Sequence, residues 1–270
     1  MKALKISLIA LFCVVTVLFA SITVYQRFIH PDDPPTITCA DDVLEIRVKD
    51  GESALLTGVT ATDPQDGDLT DRVRVAGVSK LISRDTAKVT YLVFDSDNNM
   101  GSYTRQVRYT DYERPHFEVN EPLLFSAEQD ITPSALIRAV DVLDGDISGS
   151  LRISTLNLSN TTGIYTIMVQ VTNSLGDTAR QELPVIVTGD LNARASVRLS
   201  TYLVYLEQGS DFDAASYLRT VTAPDGKAAA LSEVQIAGEV DTATAGTYNV
   251  TYTYGSGDTA GTAILTVVIQ

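Results

Sequence analysis

The chain has no tryptophan, only two cysteines and only two histidines among its 270 residues. Each scarcity excludes something. Cys13 lies inside an apolar run and Cys39 is the one cysteine beyond it, so the rest of the chain has no internal disulfide and no zinc site built on several thiolates. Cys39 is expected near the start of a strand, with an intermolecular disulfide as the alternative. His30 and His116 fall in stretches that read as junctions, so neither supplies the base that a Ser or Cys nucleophile needs. Without tryptophan, the best side chain for stacking a sugar is missing. The sequence points to no catalytic residue and no organic cofactor.

Basic residues are also in short supply: 20 Lys and Arg stand against 34 Asp and Glu, for a net charge of −14. The first 27 residues hold Lys2, Lys5 and Arg27 and no acid, so the remainder is more acidic still. Such a body repels phosphate backbones, which argues against a nucleic-acid partner. At 44% hydrophobic the chain can nevertheless bury cores, and it is not a disordered tail.

The one long apolar run is residues 6–25, ISLIALFCVVTVLFASITVY, which carries no charge. As a helix it is about 30 Å long, the thickness of a hydrocarbon core. Lys2 and Lys5 precede it, which keeps residues 1–5 in the cytoplasm and sends the bulk across. A cleavage after Ala20 would make the run a signal peptide and the product secreted. The run outlasts the roughly 7–15 residues of a signal core, which favours an uncleaved single-pass signal-anchor followed by a linker at 26–35.

Beyond the leader, a pattern repeats. Asp66-Gly67-Asp68-Leu69-Thr70 returns as Asp144-Gly145-Asp146-Ile147-Ser148 after 78 residues, and a degenerate Asp225-Gly226-Lys227 follows after 81 more. Each is followed by an alternating run: Lys88–Phe94, Tyr165–Val171 and Tyr248–Tyr254. From the first Asp of each motif to the residue ending each run (Asp95, Asn173, Ser256) is 29, 29 and 31 residues. Period-two runs rich in Val, Ile, Thr and Tyr are strands with one buried face. Val89, Tyr91 and Val93 share that face, as do Ile167, Val169 and Val171, then Val250, Tyr252 and Tyr254. Asn/Asp/Gly turns follow, then closing strands at Tyr103–Tyr109, Ala179–Val187 and Gly261–Ile269, so each unit contains a hairpin. Earlier strands are expected at Val43–Val48, Leu123–Ala127 and Tyr202–Leu206. Pro133–Arg138 and Asp213–Arg219 are each expected to make a turn or two of helix. Polar junctions at 111–115 and 189–194 divide the chain into domains at 36–110, 111–189 and 190–270, with little slack between them.

The stretch Ala61-Thr-Asp-Pro-Gln-Asp-Gly-Asp-Leu-Thr70, with Val73-Arg-Val75 and the strand ending at Asp95, resembles the bacterial immunoglobulin-like surface module also found in a pesticidal crystal protein. Ala139–Ser148 with Gly163-Ile-Tyr165 resembles it equally. The third unit keeps Gly246-Thr-Tyr248 but has Pro224-Asp-Gly-Lys227 in place of the acidic motif, so the likeness is close over 34–188 and looser over 195–270. The resemblance implies an all-β chain of three tandem Ig-like β-sandwiches, used as spacers or adhesive modules, with no catalytic residues. Three in line would reach roughly 110 Å at about 3.3 Å per strand residue.

Asp63, Asp66 and Asp68, and likewise Asp141, Asp144 and Asp146, admit two readings. One is a tight turn whose carboxylates cap exposed amides. The other is a calcium site, since Ca²⁺ takes six to eight oxygens and crowded carboxylates repel one another without a cation. The expected function is a non-catalytic cell-surface stalk, held in the membrane by its N-terminal helix, that presents its last domain to a surface protein or glycan. The alternative is a calcium-dependent carbohydrate-binding protein. Tyr202, Tyr205, Tyr248, Tyr252 and Tyr254 make the last domain the most aromatic, with core positions the commoner use of such residues.

Overall fold

A computed structural model describes residues 2–29, 33–155 and 159–270. The leader is a helix, α1 (Lys2–Ile29). Its stretch Ser7–Tyr25 has a mean hydropathy of 2.5 and is buried against nothing, so it is long and apolar enough to cross a membrane. The chain otherwise divides into two compact units, Met1–Asp111 and Tyr112–Gln270.

In the first unit, strand β1 (Thr36–Cys39) pairs with β3 (Val59–Asp63), which pairs with the short β4 (Gly67–Asp68). The second sheet runs β2 (Val43–Ile46), β7 (Met100–Tyr109), β6 (Thr86–Phe94) and β5 (Arg74–Val78). A short helix, α2 (Gly51–Leu55), lies between β2 and β3. Alternation places Val89, Tyr91 and Val93 on one face, and all three are completely buried, together with Ile37, Ala61, Leu69 and Val107. These residues come from both sheets, so the hydrophobic stripe of each closes over that of the other. Fully burying each such side chain is worth roughly 1.5–3 kcal/mol.

One core position departs from this. Arg105 faces Val89 across the hairpin, where the registers of the second unit put Leu183 opposite Ile167 and Leu265 opposite Val250. Arg105 is only 4% exposed, yet no carboxylate among the described residues forms an ion pair with it. Its guanidinium donates to the carbonyls of Leu55 (3.0 Å) and Thr57 (2.6 Å) and from Nε to the Tyr91 hydroxyl (2.8 Å). The buried cation is therefore solvated by neutral oxygens in place of water.

The second unit holds two further pairs of sheets. In the first pair, β8 (His116–Glu118), β10 (Arg138–Asp141) and β11 (Gly145–Asp146) form one sheet. The other has β9 (Leu124–Ser126), β14 (Thr178–Thr188), β13 (Gly163–Thr172) and β12 (Arg152–Thr155). In the second pair, β15 (Ser196–Leu199) joins β17 (Leu218–Thr222), facing a sheet of β16 (Leu203–Leu206), β20 (Gly261–Ile269), β19 (Gly246–Tyr254) and β18 (Gln235–Ala237). The two expected helical turns are 3₁₀ helices, at Pro133–Leu136 and Ala214–Tyr217. A single buried cluster runs from Phe117 to Ile269 through both pairs. Val119, 1% exposed, accepts at its carbonyl from the Tyr202 backbone N–H at 2.8 Å and the Thr201 hydroxyl at 3.2 Å.

The same strand order recurs three times: β2 runs parallel to β7, β9 to β14 and β16 to β20. The second strand of each repeat thus heads for the same end as the last, and the residues before the first strand show where the chain comes in. Pro35 passes so close to Gly101, at the start of β7, that a Cβ there would lie 2.0 Å from the Pro35 carbonyl oxygen. Ala195 passes Gly261, at the start of β20, in the same way, 2.4 Å from the equivalent Cβ. The chain arrives beside the start of the last strand and leaves from its far end, nine residues or about 30 Å away.

Candidate functional site

The acidic motifs sit at the arrival end, against the turn before the last strand. Asp63 Oδ1 accepts from the backbone N–H groups of Gln65 and Asp66, each at 2.8 Å. Asp141 Oδ1 does the same for Leu143 (2.9 Å) and Asp144 (3.0 Å). These first aspartates are 7% and 2% exposed and hold the turn from inside, while Gly67 and Gly145 take φ of +77° and +73°. Asp66 reaches across to the following hairpin turn, accepting from the Ser96 N–H (2.6 Å) and hydroxyl (2.8 Å). Asp144 repeats this with Ser174, at 2.6 and 2.7 Å. Asp68 caps Thr70 N–H at 2.9 Å, and Asp146 caps Ser148 N–H at 3.0 Å and its hydroxyl at 2.6 Å.

Every one of the six carboxylates is thus engaged by N–H or O–H donors. Hydrogen bonds from Thr70 hold Asp68 below the usual carboxylate range. Asp146 is pushed down to about 2, first by the Ser148 hydroxyl and N–H and then by the Arg138 guanidinium. Among the described residues, no group of three or more His, Cys, Asp or Glu side chains is arranged to hold a metal ion. In the third copy Thr222 stands where Asp63 and Asp141 stand, and Asp225 caps only Lys227, by its N–H at 3.1 Å and its ammonium at 2.8 Å.

The first residues of the second unit are fastened to this same end. Arg114 donates to both oxygens of Asp177, at 2.7 and 3.1 Å, and the Tyr112 hydroxyl donates to Asp177 at 2.9 Å. Asn173 Nδ2 bridges the Tyr112 hydroxyl (2.9 Å) and Asp141 (3.1 Å). The Arg114 hydrogen bonds lower the Asp177 carboxyl, and burial, followed by the Asp177 bond, raises the Tyr112 phenol. On the other side of the junction, Asp111 accepts from the Val48 N–H at 2.8 Å.

Other sequence candidates fall elsewhere. His30 lies outside the described residues. His116 packs edge-on against Tyr205 with ring centroids 6.1 Å apart. Cys39 closes β1 rather than opening a strand; it is partly buried, and burial raises its thiol. The aromatic residues of the last domain are largely inward: Tyr202 and Tyr252 are buried, and Tyr205, Tyr248 and Tyr254 are half-buried. The Tyr205 hydroxyl accepts from Phe117 N–H at 3.2 Å, and Tyr252 donates to Ala214 carbonyl at 2.8 Å. Arg105 gave no sequence signal, because an arginine between polar strand neighbours reads as solvent-facing.

The fold is all-β with Ig-like sheets behind one apolar helix. Residues 201–268 match the family profile described as bacterial surface protein, Ig-like domain, so the chain carries a bacterial Ig-like surface module. That stretch is the copy lacking the acidic motif, the unit whose likeness is looser in the sequence. The chain is 23% identical over 187 residues to an uncharacterized 81.3 kDa protein of Acholeplasma phage L2, covering 67% of this chain and 24% of that protein. It therefore spans about a quarter of that relative's length. Among solved structures it is similar to the CBM51-2 and INT domains of Clostridium perfringens ZmpB in complex with GlcNAc, with 20% identity and a TM-score of 0.27 over 53% of this chain and 30% of that one. It is also similar to Drosophila N-cadherin EC1-3, with 12% identity and a TM-score of 0.31 over 84% and 97% of the two chains. A lipoprotein of Bacteroides thetaiotaomicron is 16% identical, with a TM-score of 0.24 over 56% and 98%.

Proposed function

We propose that the chain is a non-catalytic surface stalk of three tandem Ig-like sandwiches, 36–110, 111–189 and 190–270, held at the membrane by an uncleaved α1. The supporting observation is that the second strand of each repeat runs parallel to the last while the incoming chain lies beside the last strand's start, at Gly101, at Asp177 and at Gly261, which brings the chain in at one end and out at the other. Modules wired this way gain length with each copy, as a spacer requires. A hairpin-like arrangement with both ends together would fold each copy back beside its tether. Short, fastened junctions fit the same role: Asp111 is tied to Val48 on one side, and Tyr112 and Arg114 are tied to Asp177 on the other. The role of α1 rests on its uncharged span and on the lysines before it. The stalk would carry its last module to a protein or glycan partner on another surface.

Protease added to intact bacterial cells producing the chain with a C-terminal tag tests both parts. The reading expects loss of the tag from intact cells, and a membrane-bound product whose mass includes residues 2–29. A tag protected until the cells are opened, or a mature chain starting after Ala20, overturns the anchored arrangement.

A further inference from the structure

The first sandwich differs from the other two at one corner. In each copy the long hairpin ends at the turn where the chain comes in, so its last rungs can be compared one for one. Val93 faces Gly101 in the first copy, as Val171 faces Ala179 in the second and Tyr254 faces Gly261 in the third. One rung further out, the first copy has Phe94 opposite Met100. The second has Thr172 opposite Thr178, their hydroxyls hydrogen-bonded at 2.8 Å. In the third, the pairing stops at Tyr254 and Gly261. Phe94 is 49% exposed and Met100 52%. Alternation turns both away from the core, on the same face as the half-buried Leu92.

This corner is tied to the apolar helix by a short piece of chain. Met100 directly precedes Gly101, the residue that Pro35 crosses as the chain comes in. α1 ends at Ile29, and the steps from there to Pro35, at most about 3.6 Å each, reach no more than about 22 Å. Tyr25, the last residue of the apolar span, lies about 6 Å further back along the helix. So short a tether holds the corner near the end of the span at an effective concentration of order millimolar, and a weak contact suffices. Phenylalanine is a side chain that enters the boundary between headgroups and acyl chains. The neighbouring acids are turned into their own loops. Asp95 accepts from the N–H groups of Asp97 (2.9 Å) and Asn99 (2.8 Å), and Asp66 from Ser96. Asp97 itself is exposed beside the corner, so a symmetric pair of copies meeting here would bring like charges together. A zwitterionic lipid surface carries no such penalty.

We propose that the Phe94–Met100 corner rests in the headgroup region of the bilayer that α1 crosses, so that the first sandwich is seated on the lipid surface. The occupant of this exposed apolar face is zwitterionic lipid, and the copy that carries the face is the one tethered beside the membrane. The threonine rung of the second copy, further along the chain, has no such neighbour. This proposal rests on the anchored reading of α1 and deepens it, by giving the base of the stalk a second hold on the membrane.

The absence of tryptophan makes the test clean, since Phe94→Trp supplies the sole indole of the full chain. The variant is reconstituted in phosphatidylcholine liposomes, with and without phosphatidylcholine brominated high on its acyl chains, which quenches only an indole in contact with it. The expected result is a blue-shifted emission that brominated lipid cuts by at least half. Thr172→Trp, at the matching rung of the second sandwich, should be left unquenched. Adding Met100→Asp to Phe94→Trp should restore the emission. Position 100 is exposed, so an unchanged melting temperature is expected and separates lost contact from lost folding. An unquenched indole at 94, equal quenching at 94 and 172, or quenching that survives Met100→Asp would each overturn the proposal. A blue-shifted but unquenched indole, as burial against another protein would give, overturns it too. Retention of the chain by liposomes after an alkaline wash is scored separately. A retained chain with no quenching defeats the seat and leaves the anchor standing, whereas a chain washed off defeats both.

Discussion

Arg105 and Tyr91 share one buried oxygen, the Leu55 carbonyl: the Tyr91 hydroxyl donates to it at 2.5 Å and the Arg105 guanidinium at 3.0 Å. The pair closes the end of α2 over the first core, with the guanidinium carbon 5.4 Å from the Tyr91 ring centre. Tyr252 makes the corresponding reach in the last sandwich, to the Ala214 carbonyl, but no arginine among the described residues hydrogen-bonds to it.

Removing either partner should therefore cost more in the first unit than its counterpart does in the second. Tyr91→Phe strips an acceptor from a buried guanidinium and should destabilise the first unit by about 1–3 kcal/mol, whereas Tyr252→Phe should lose nearer 1 kcal/mol. Arg105→Ala should cost about 3 kcal/mol or more, combining a cavity with the loss of the guanidinium from the Thr57 carbonyl and from the Leu55 carbonyl that Tyr91 still reaches. Arg105→Leu, which installs the residue found at 183 and 265, should fall between the wild type and Arg105→Ala. Urea denaturation of each variant measures the order, and a more stable Arg105→Leu would show that the guanidinium is dispensable.

Glycines where the incoming chain crosses the last strand should be intolerant. Gly101→Ala and Gly261→Ala each force a methyl group into a backbone carbonyl and should cost about 1–3 kcal/mol. Gly77, with nothing within 4 Å of its missing Cβ and no positive φ, is the control and should accept Ala with little loss. Thermal melts that fail to separate Gly77→Ala from the other two would contradict the close crossing.

The acidic turns should behave as staples. Asp141→Ala frees the Leu143 and Asp144 N–H groups and Asn173 Nδ2 in a buried site, and should cost about 1–3 kcal/mol. Asp225→Ala, at an exposed turn, should change stability by no more than about 0.5 kcal/mol. With the carboxylates already supplied with donors, calcium or a chelator should leave the melting curve of the full chain where it was. A calcium-dependent rise, lost in Asp141→Ala, would favour the metal reading of the same residues.

Acid should loosen the second unit first through Asp146 and Asp177. Both carboxyls titrate lower when folded than the ordinary unfolded value of about 3.9. The stabilisation they provide is present above that value and is lost as pH falls from about 4 towards 2, because the unfolded chain binds protons first. Asp146→Asn should flatten the fall in melting temperature over this window and leave the curve above pH 5 parallel to the wild type. An unaltered acid limb would remove Asp146 from the account.

The hairpins were legible because strands buried on one face alternate: Lys88–Phe94 lies inside β6, Tyr165–Val171 inside β13, and Gly261–Ile269 coincides with β20. The opening strands were found with ragged ends, as Val43–Val48 against an observed Val43–Ile46 shows, because four-residue strands carry little periodicity. The two-residue strands Gly67–Asp68 and Gly145–Asp146 sit within the acidic motif itself and looked like turn alone. Two features were invisible for one physical reason: they depend on partners distant in sequence. Arg105 looks exposed until Leu55 and Thr57 are brought to it. Val119 looks like an ordinary strand residue until Tyr202 caps it.

The most direct measurement of the stalk is the height of its far end above the bilayer. With both native cysteines replaced, a dye is placed by cysteine at position 33 or at position 270 of the full chain in liposomes carrying an energy acceptor on the lipid headgroups. The account predicts strong transfer from 33 and almost none from 270, since each sandwich adds its own length between the two. Comparable transfer from both positions would mean that the last sandwich lies at the membrane, and the stalk would have to be abandoned.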